Sequence, residues 1–252
     1  DCLFCQNDSH KRLHEAPRCN TQTLVSTTLS NRRISCWCFF GGSPEPQLPF
    51  AISSSKAILD SKPQDRVLRV CFEWNGAGNR ILVDRAAELA LRSGGNIKFD
   101  LKCSSDAVSM ALSGTPNRRS FENFEMLFRK YGKERPALPL LTATTLLVPG
   151  YVDEEEVEKI SMFLAGLDKN IPYSLLVFHP DFMMSDLPIT PYRQVAECYR
   201  AAKKRLTRVN IGNLASLTEA ATHPAPRETP PRSSNEDRTK DHALSPAAIG
   251  GG

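Results

Sequence analysis

Apolar residues along this chain gather in short runs bounded by glycine, proline or polar turns, and these runs alternate with longer stretches in which apolar positions recur at helical spacing. Residues 34–40, 67–73, 96–101, 140–148 and 173–178 read as five strands. Residues 47–59, 82–92, 117–131 and 153–166 read as the helices between them, and 190–204 as a helix after the last strand. Asn117 is placed to cap the third helix. The fourth opens on Asp153 and three glutamates at its positive end, then carries a stripe of Val157, Ile160 and Leu164. Thr190 followed by Pro191 is a start signal for the last. Strands alternating with helices at this spacing predict parallel strands with right-handed crossovers, in a doubly wound sheet or a full or partial barrel. Both architectures place function at the carboxyl ends of the strands.

The polar residues at those strand ends are the candidate chemistry. Over Ile97-Lys98-Phe99-Asp100-Leu101-Lys102 a period of two puts three charges on one strand face and three apolar side chains on the other. Strands in the middle of such an alternation normally have both faces covered, so these charges point to a polar lumen or ligand site. Cys71, Glu73 and Asn75 share one face of the preceding strand, which ends at the turn signal Asn75-Gly76. His179 follows the run 175–178, where a histidine is more often a hydrogen-bonded structural residue than a catalytic one. Gly41-Gly42-Ser43-Pro44 follows the first strand, where backbone can approach a ligand with no Cβ in the way. Cys36 and Cys38, on one strand face with Trp37 on the other, read as core residues, as do Cys19, Cys71, Cys103 and Cys198.

Composition narrows the field further. The 252 residues are 40% hydrophobic and 24% charged, with a net charge of +4 spread along the chain, which gives no footing for a nucleic-acid partner. No apolar run reaches the ~20 residues of a membrane span and no signal-peptide pattern is present, so a cytoplasmic protein without a membrane partner is expected. The eight cysteines show no disulfide framework, and Cys2-x-x-Cys5 has the spacing of a metal site, suited to zinc or an iron-sulfur cluster. From about residue 216 to 252 the chain turns to proline, serine and glycine with few large apolar residues. A disordered tail is expected there, leaving residues 1–215 as one domain.

In order along the chain, these segments resemble the radical SAM (S-adenosylmethionine) superfamily, and within it the proteins similar to the pyruvate formate-lyase activating enzyme. Leu147-Val148-Pro149-Gly150-Tyr151, Phe178-His179-Pro180 and Ser185-Asp186-Leu187-Pro188 most resemble the branch called AmmeMemoRadiSam. Asp1-Cys2-Leu3-Phe4-Cys5-Gln6-Asn7 is similar to the second half of the C-x-x-x-C-x-x-C motif, so the first cysteine is expected four positions before Cys2, outside the chain. The resemblance implies an incomplete parallel (βα) barrel, truncated within the cluster motif, and a [4Fe-4S] cluster held by Cys2, Cys5 and that further cysteine.

It also implies S-adenosylmethionine (SAM) as cofactor. Gly41, Gly42, Ser43 and Pro44 would meet its amino group, with Ser43 where the family has an acid, and Glu73 and Asn75 would lie at the ribose. Asp100 and Lys102 match the family's Asp-x-Lys strand, and His179 stands where the family has a histidine beside the adenosine. The implied activity is reductive cleavage of SAM to a 5′-deoxyadenosyl radical that abstracts hydrogen. Its substrate, protein or small molecule, is not readable; a glycyl-radical enzyme is one target by analogy, and flavodoxin or ferredoxin would be the electron donor. Two other readings stay open. One is a zinc or redox CxxC protein; the other is a non-catalytic barrel that has lost its cluster.

Overall fold

Six parallel strands lie side by side in the order in which the chain makes them: β1 (Cys36–Phe39), β2 (Arg69–Trp74), β3 (Ile97–Asp100), β4 (Leu141–Leu147), β5 (Tyr173–Val177) and β6 (Val209–Gly212). The computed structural model describes residues 2–8, 12 and 17–215. Helices α1 (Thr21–Ser30), α2 (Leu48–Ser61), α3 (Arg80–Ser93), α4 (Asp106–Ser113), α5 (Arg118–Tyr131), α6 (Glu154–Leu167) and α7 (Tyr192–Lys203) fill the connections and precede β1. A sheet that never reverses its strand order sends every crossover to the same face. The result is an incomplete (βα) barrel, as expected, rather than a doubly wound sheet.

The two sheet faces differ accordingly. Val70, Phe72, Trp74, Ile97 and Phe99 point to the helices and are buried, whereas Cys71, Glu73, Lys98 and Asp100 between them are half-buried on the inner face. An aromatic chain crosses the outer core: Phe39 to Phe72 (5.2 Å between ring centroids), Phe72 to Trp74 (5.1 Å), Trp74 to Phe99 (5.6 Å) and Phe99 to Phe124 (5.0 Å). Each such ring contributes about 1.5–3 kcal/mol by its burial.

Local chemistry sets the helix ends. The Asn79 side chain accepts the Ile81 and Leu82 amide protons to open α3, which closes on Gly94 with φ +77°. Asp153 opens α6 in the same way, accepting from Glu155 and Glu156. Against the outer side of β1, α1 packs through Leu24, Val25 and Leu29 onto Trp37, Ile58 and Leu68. The buried Arg66 guanidinium donates to the carbonyls of Thr28, Leu29, Asn31 and Ile34, satisfying acceptors left over at the carboxyl end of α1.

All five expected strands and all five expected helices are present, with ends within two residues of the reading. β6, α1 and α4 are additional. Two details differ. The Asn117 side chain does not cap α5 but donates to the Cys103 carbonyl, while Asp106 accepts the amide protons of Asn117 and Arg118. Cys36 and Cys38 are exposed on the inner face and are not core residues, because among the described residues no helix covers that side of β1; Cys19 is exposed as well. Cys103 and Cys198 are buried, as expected. The expected tail, 216–252, lies outside the described residues. Among these, no helix is long and apolar enough to cross a membrane.

Candidate functional site

A cavity of about 400 Å³ opens on the inner face at the carboxyl ends of the strands. Cys2, Cys5, Gly41, Gly42, Ser43, Glu73, Asn75, Asp100 and Lys102 all line it. Pro44 and His179, expected at the same place, stand outside the lining; the His179 Nδ1 lies 3.3 Å from the Asp181 carboxylate.

The segment carrying the two thiols is tied to the barrel at several points. Phe4, between them, is buried in the core. The Leu3 amide donates to Leu112 at the end of α4, its carbonyl accepts from Met183, and the Cys2 thiol donates to Ser113 Oγ at 3.3 Å. Both thiols are partly exposed. Asn7 reaches back to the glycine loop, its side-chain amide donating to the Gly41 carbonyl at 2.8 Å. Gly41 and Gly42 have φ of +82° and +97°, and a Cβ on Gly41 would sit 2.9 Å from that amide nitrogen. Only glycine lets the loop bend at this point.

Charges across β2 and β3 are paired. Glu73 and Lys98 face each other in register and form an ion pair of 2.5 Å, and Lys102 pairs with Asp100 two residues earlier. Burial works against the charge on Lys102, but Asp100 and, after it, the sulfurs of Cys2 and Cys5 outweigh burial and hold its ammonium pKa above the ordinary value. The Lys102 ammonium also lies 5.4 Å from the centre of the Phe4 ring. The cavity wall therefore offers a fixed cation beside two soft sulfur donors.

Behind Ser43 stands a residue that sequence reasoning missed. Ser43 donates its hydroxyl proton to the Glu45 carboxylate and accepts from the Asn75 amide at 3.0 Å, and Glu45 accepts from the amides of Gly76 (2.7 Å) and Ala77 (3.2 Å). This carboxylate clamps the loop after β1 to the turn after β2. The signal was present as Glu45-Pro46, two residues beyond the glycine loop. Replacing Glu45 with alanine leaves two amides without their acceptor, so a stability loss of about 2 kcal/mol is expected in urea titration. A loss under about 0.5 kcal/mol would mean that the clamp is not needed. Thr144, Leu146, Leu176 and Asn213 also line the cavity without having been foreseen; Asn213 has φ +60° and donates to the Val177 carbonyl.

The donor set suits a thiolate-bound metal group in kind, since Cys2 and Cys5 share one wall of the cavity. Among the described residues no three His, Cys, Asp or Glu side chains come close enough to share a metal ion.

No family model matches the chain. It is 30% identical over 140 residues to the isethionate sulfite-lyase activating enzyme of Desulfovibrio desulfuricans, an alignment covering 55% of this chain and 40% of that protein. The alignment thus takes in well under half of the curated relative. Among solved structures, a domain of pyruvate-formate lyase-activating enzyme from Bacteroides vulgatus superposes with a TM-score of 0.56 at 18% identity, covering 70% of this chain and 98% of that one. SuiB of Streptococcus suis, bound to S-adenosylmethionine, gives a TM-score of 0.58 at 9% identity over 84% of this chain and 46% of its own. The fold is that of these two solved proteins, and a 140-residue stretch of the chain is similar in sequence to an activating enzyme.

Proposed function

We propose that the inner cavity binds SAM and a [4Fe-4S] cluster and that the chain generates a radical there. The observation that carries this reading is the meeting of two thiols, a positive-φ glycine loop and paired strand-end charges on one cavity wall. When bound, the cluster would supply an electron to the sulfonium, giving methionine and a 5′-deoxyadenosyl radical that takes hydrogen from the substrate.

In this reading Cys2 and Cys5 hold the cluster, with the Lys102 ammonium offsetting negative charge beside them. Gly41 and Gly42 present backbone to the amino-acid end of SAM, Ser43 adds a hydroxyl backed by Glu45, and Pro44 stiffens the loop. Glu73 and Asn75 receive the ribose and Asp100 keeps Lys102 in place; His179, outside the cavity lining and beside Asp181, would reach the adenosine only by turning its ring inward. The relative is named for a lyase that it activates, and on that basis we take the substrate to be a partner protein, a glycyl-radical enzyme being one target by analogy. Flavodoxin or ferredoxin would supply the electron.

The test is anaerobic reconstitution with iron and sulfide of the chain extended upstream to include the cysteine expected four positions before Cys2, then SAM titration by calorimetry and assay of 5′-deoxyadenosine under dithionite. Iron and sulfide bound together with deoxyadenosine formation support the reading. SAM binding without cleavage would retain the binding site and remove the radical chemistry. Failure to bind SAM, or binding of zinc in place of the cluster, would overturn the reading.

A further inference from the structure

Three cysteines on the inner face lie outside the cavity just described. Cys36 and Cys38 point inward from β1 and are exposed, while Cys71 points inward from β2 and is half-buried. In the parallel register Cys38 is opposite Cys71 and Cys36 is opposite Arg69. The sulfur contact nevertheless runs along the diagonal, with the Cys36 thiol directed at Cys71 Sγ at 3.6 Å. Disulfide sulfurs sit about 2.05 Å apart. Closing that gap requires side-chain rotation and a shift of β1, which among the described residues is an edge strand paired only with β2.

We propose that Cys36 and Cys71 form an oxidisable dithiol that a peroxide converts to an inter-strand disulfide. One thiol loses its proton and attacks the peroxide, whose O–O bond breaks to leave a sulfenic acid and water. The second thiol attacks that sulfur, the S–S bond forms and a second water leaves. Two thiols give up two electrons and two hydrogens to one peroxide, and no other reactant is needed.

The surroundings agree with a pair that rests reduced and is oxidised slowly, because little of Cys36 is thiolate near neutral pH. Burial first, and then the neighbouring Cys71, push the Cys36 thiol up to about 12; burial, then Glu73, push Cys38 up to about 11. Cys36 and Cys38 are therefore neutral thiols near neutral pH, slow to be lost to adventitious reaction. Once formed, the bond would join β1 to β2 beneath the points where Gly41 and Gly42 leave one strand and Glu73 and Asn75 stand on the other. It would restrict how those two loops move relative to each other, whatever ligand the cavity takes.

The experiment treats the folded protein with hydrogen peroxide, blocks remaining thiols with iodoacetamide and digests with trypsin. The expected product is the tryptic peptide 34–56 linked to 70–80. Because the first peptide carries both Cys36 and Cys38, Cys36→Ser, Cys38→Ser and Cys71→Ser variants are treated in parallel, each checked for native circular dichroism. The link should persist in Cys38→Ser and fall at least tenfold in the other two. Should Cys71→Ser fail to fold, Cys71→Ala replaces it. The proposal is overturned by a link that survives Cys36→Ser, by no link in the folded protein, or by equal yield from protein unfolded in urea.

Discussion

Alanine at Gly76 is expected to destabilise the protein by about 3 kcal/mol or more. A Cβ there would lie 2.1 Å from Cε1 and 2.3 Å from Cδ1 of Phe99, and φ at this residue is +76°. The ring cannot yield, because Phe99 is fully buried between Trp74 and Phe124. Nor can the backbone, since the Gly76 amide donates to Glu45 while its carbonyl accepts from the Asn123 side chain at 2.7 Å. Urea denaturation of Gly76→Ala against the parent chain measures the difference. A loss below about 1 kcal/mol would show that the turn after β2 shifts freely, and would remove the reason for regarding Asn75 and Glu73 as rigidly placed.

Replacing Lys102 with methionine is expected to weaken SAM binding at least tenfold, about 1.4 kcal/mol, while moving the melting temperature by only a few degrees. Methionine keeps an apolar stem against Phe4 and removes the charge. The Asp100 carboxylate left behind is about a third exposed, at 31%, so water can replace the lost ammonium and the usual penalty for orphaning a buried charge is muted. Calorimetry on the reconstituted protein, with thermal melting alongside, separates the outcomes. Unchanged affinity would take Lys102 out of the site; a large drop in melting temperature would make the ion pair structural.

Much of this arrangement is legible in the residues because a parallel strand with one covered face announces itself. The alternation from Ile97 to Lys102 could be satisfied only by a sheet with a packed side and a polar side, and the structure has both. β6 escaped because Val209–Gly212 is four residues long and only half-buried, offering two apolar side chains. α1 escaped because Thr21–Ser30 is rich in serine and threonine, whose hydroxyls compete for backbone bonds; it is held by Asn20 at its start and Arg66 at its end, not by strong propensity. Cys36 and Cys38 were misjudged because residue type and strand periodicity say which side a residue faces, not whether anything covers that side. Glu45 was hidden for another reason: its partners are the amides of residues 76 and 77, about thirty positions away, which no local spacing reveals.

Among the described residues the sheet runs from β1 to β6 without the two ends meeting. A closed barrel admits a ligand only along its axis, so anything longer than a small molecule must enter end first. A trough has no such requirement. Among the described residues this one is open along its side, between β1 and β6, as well as at its mouth.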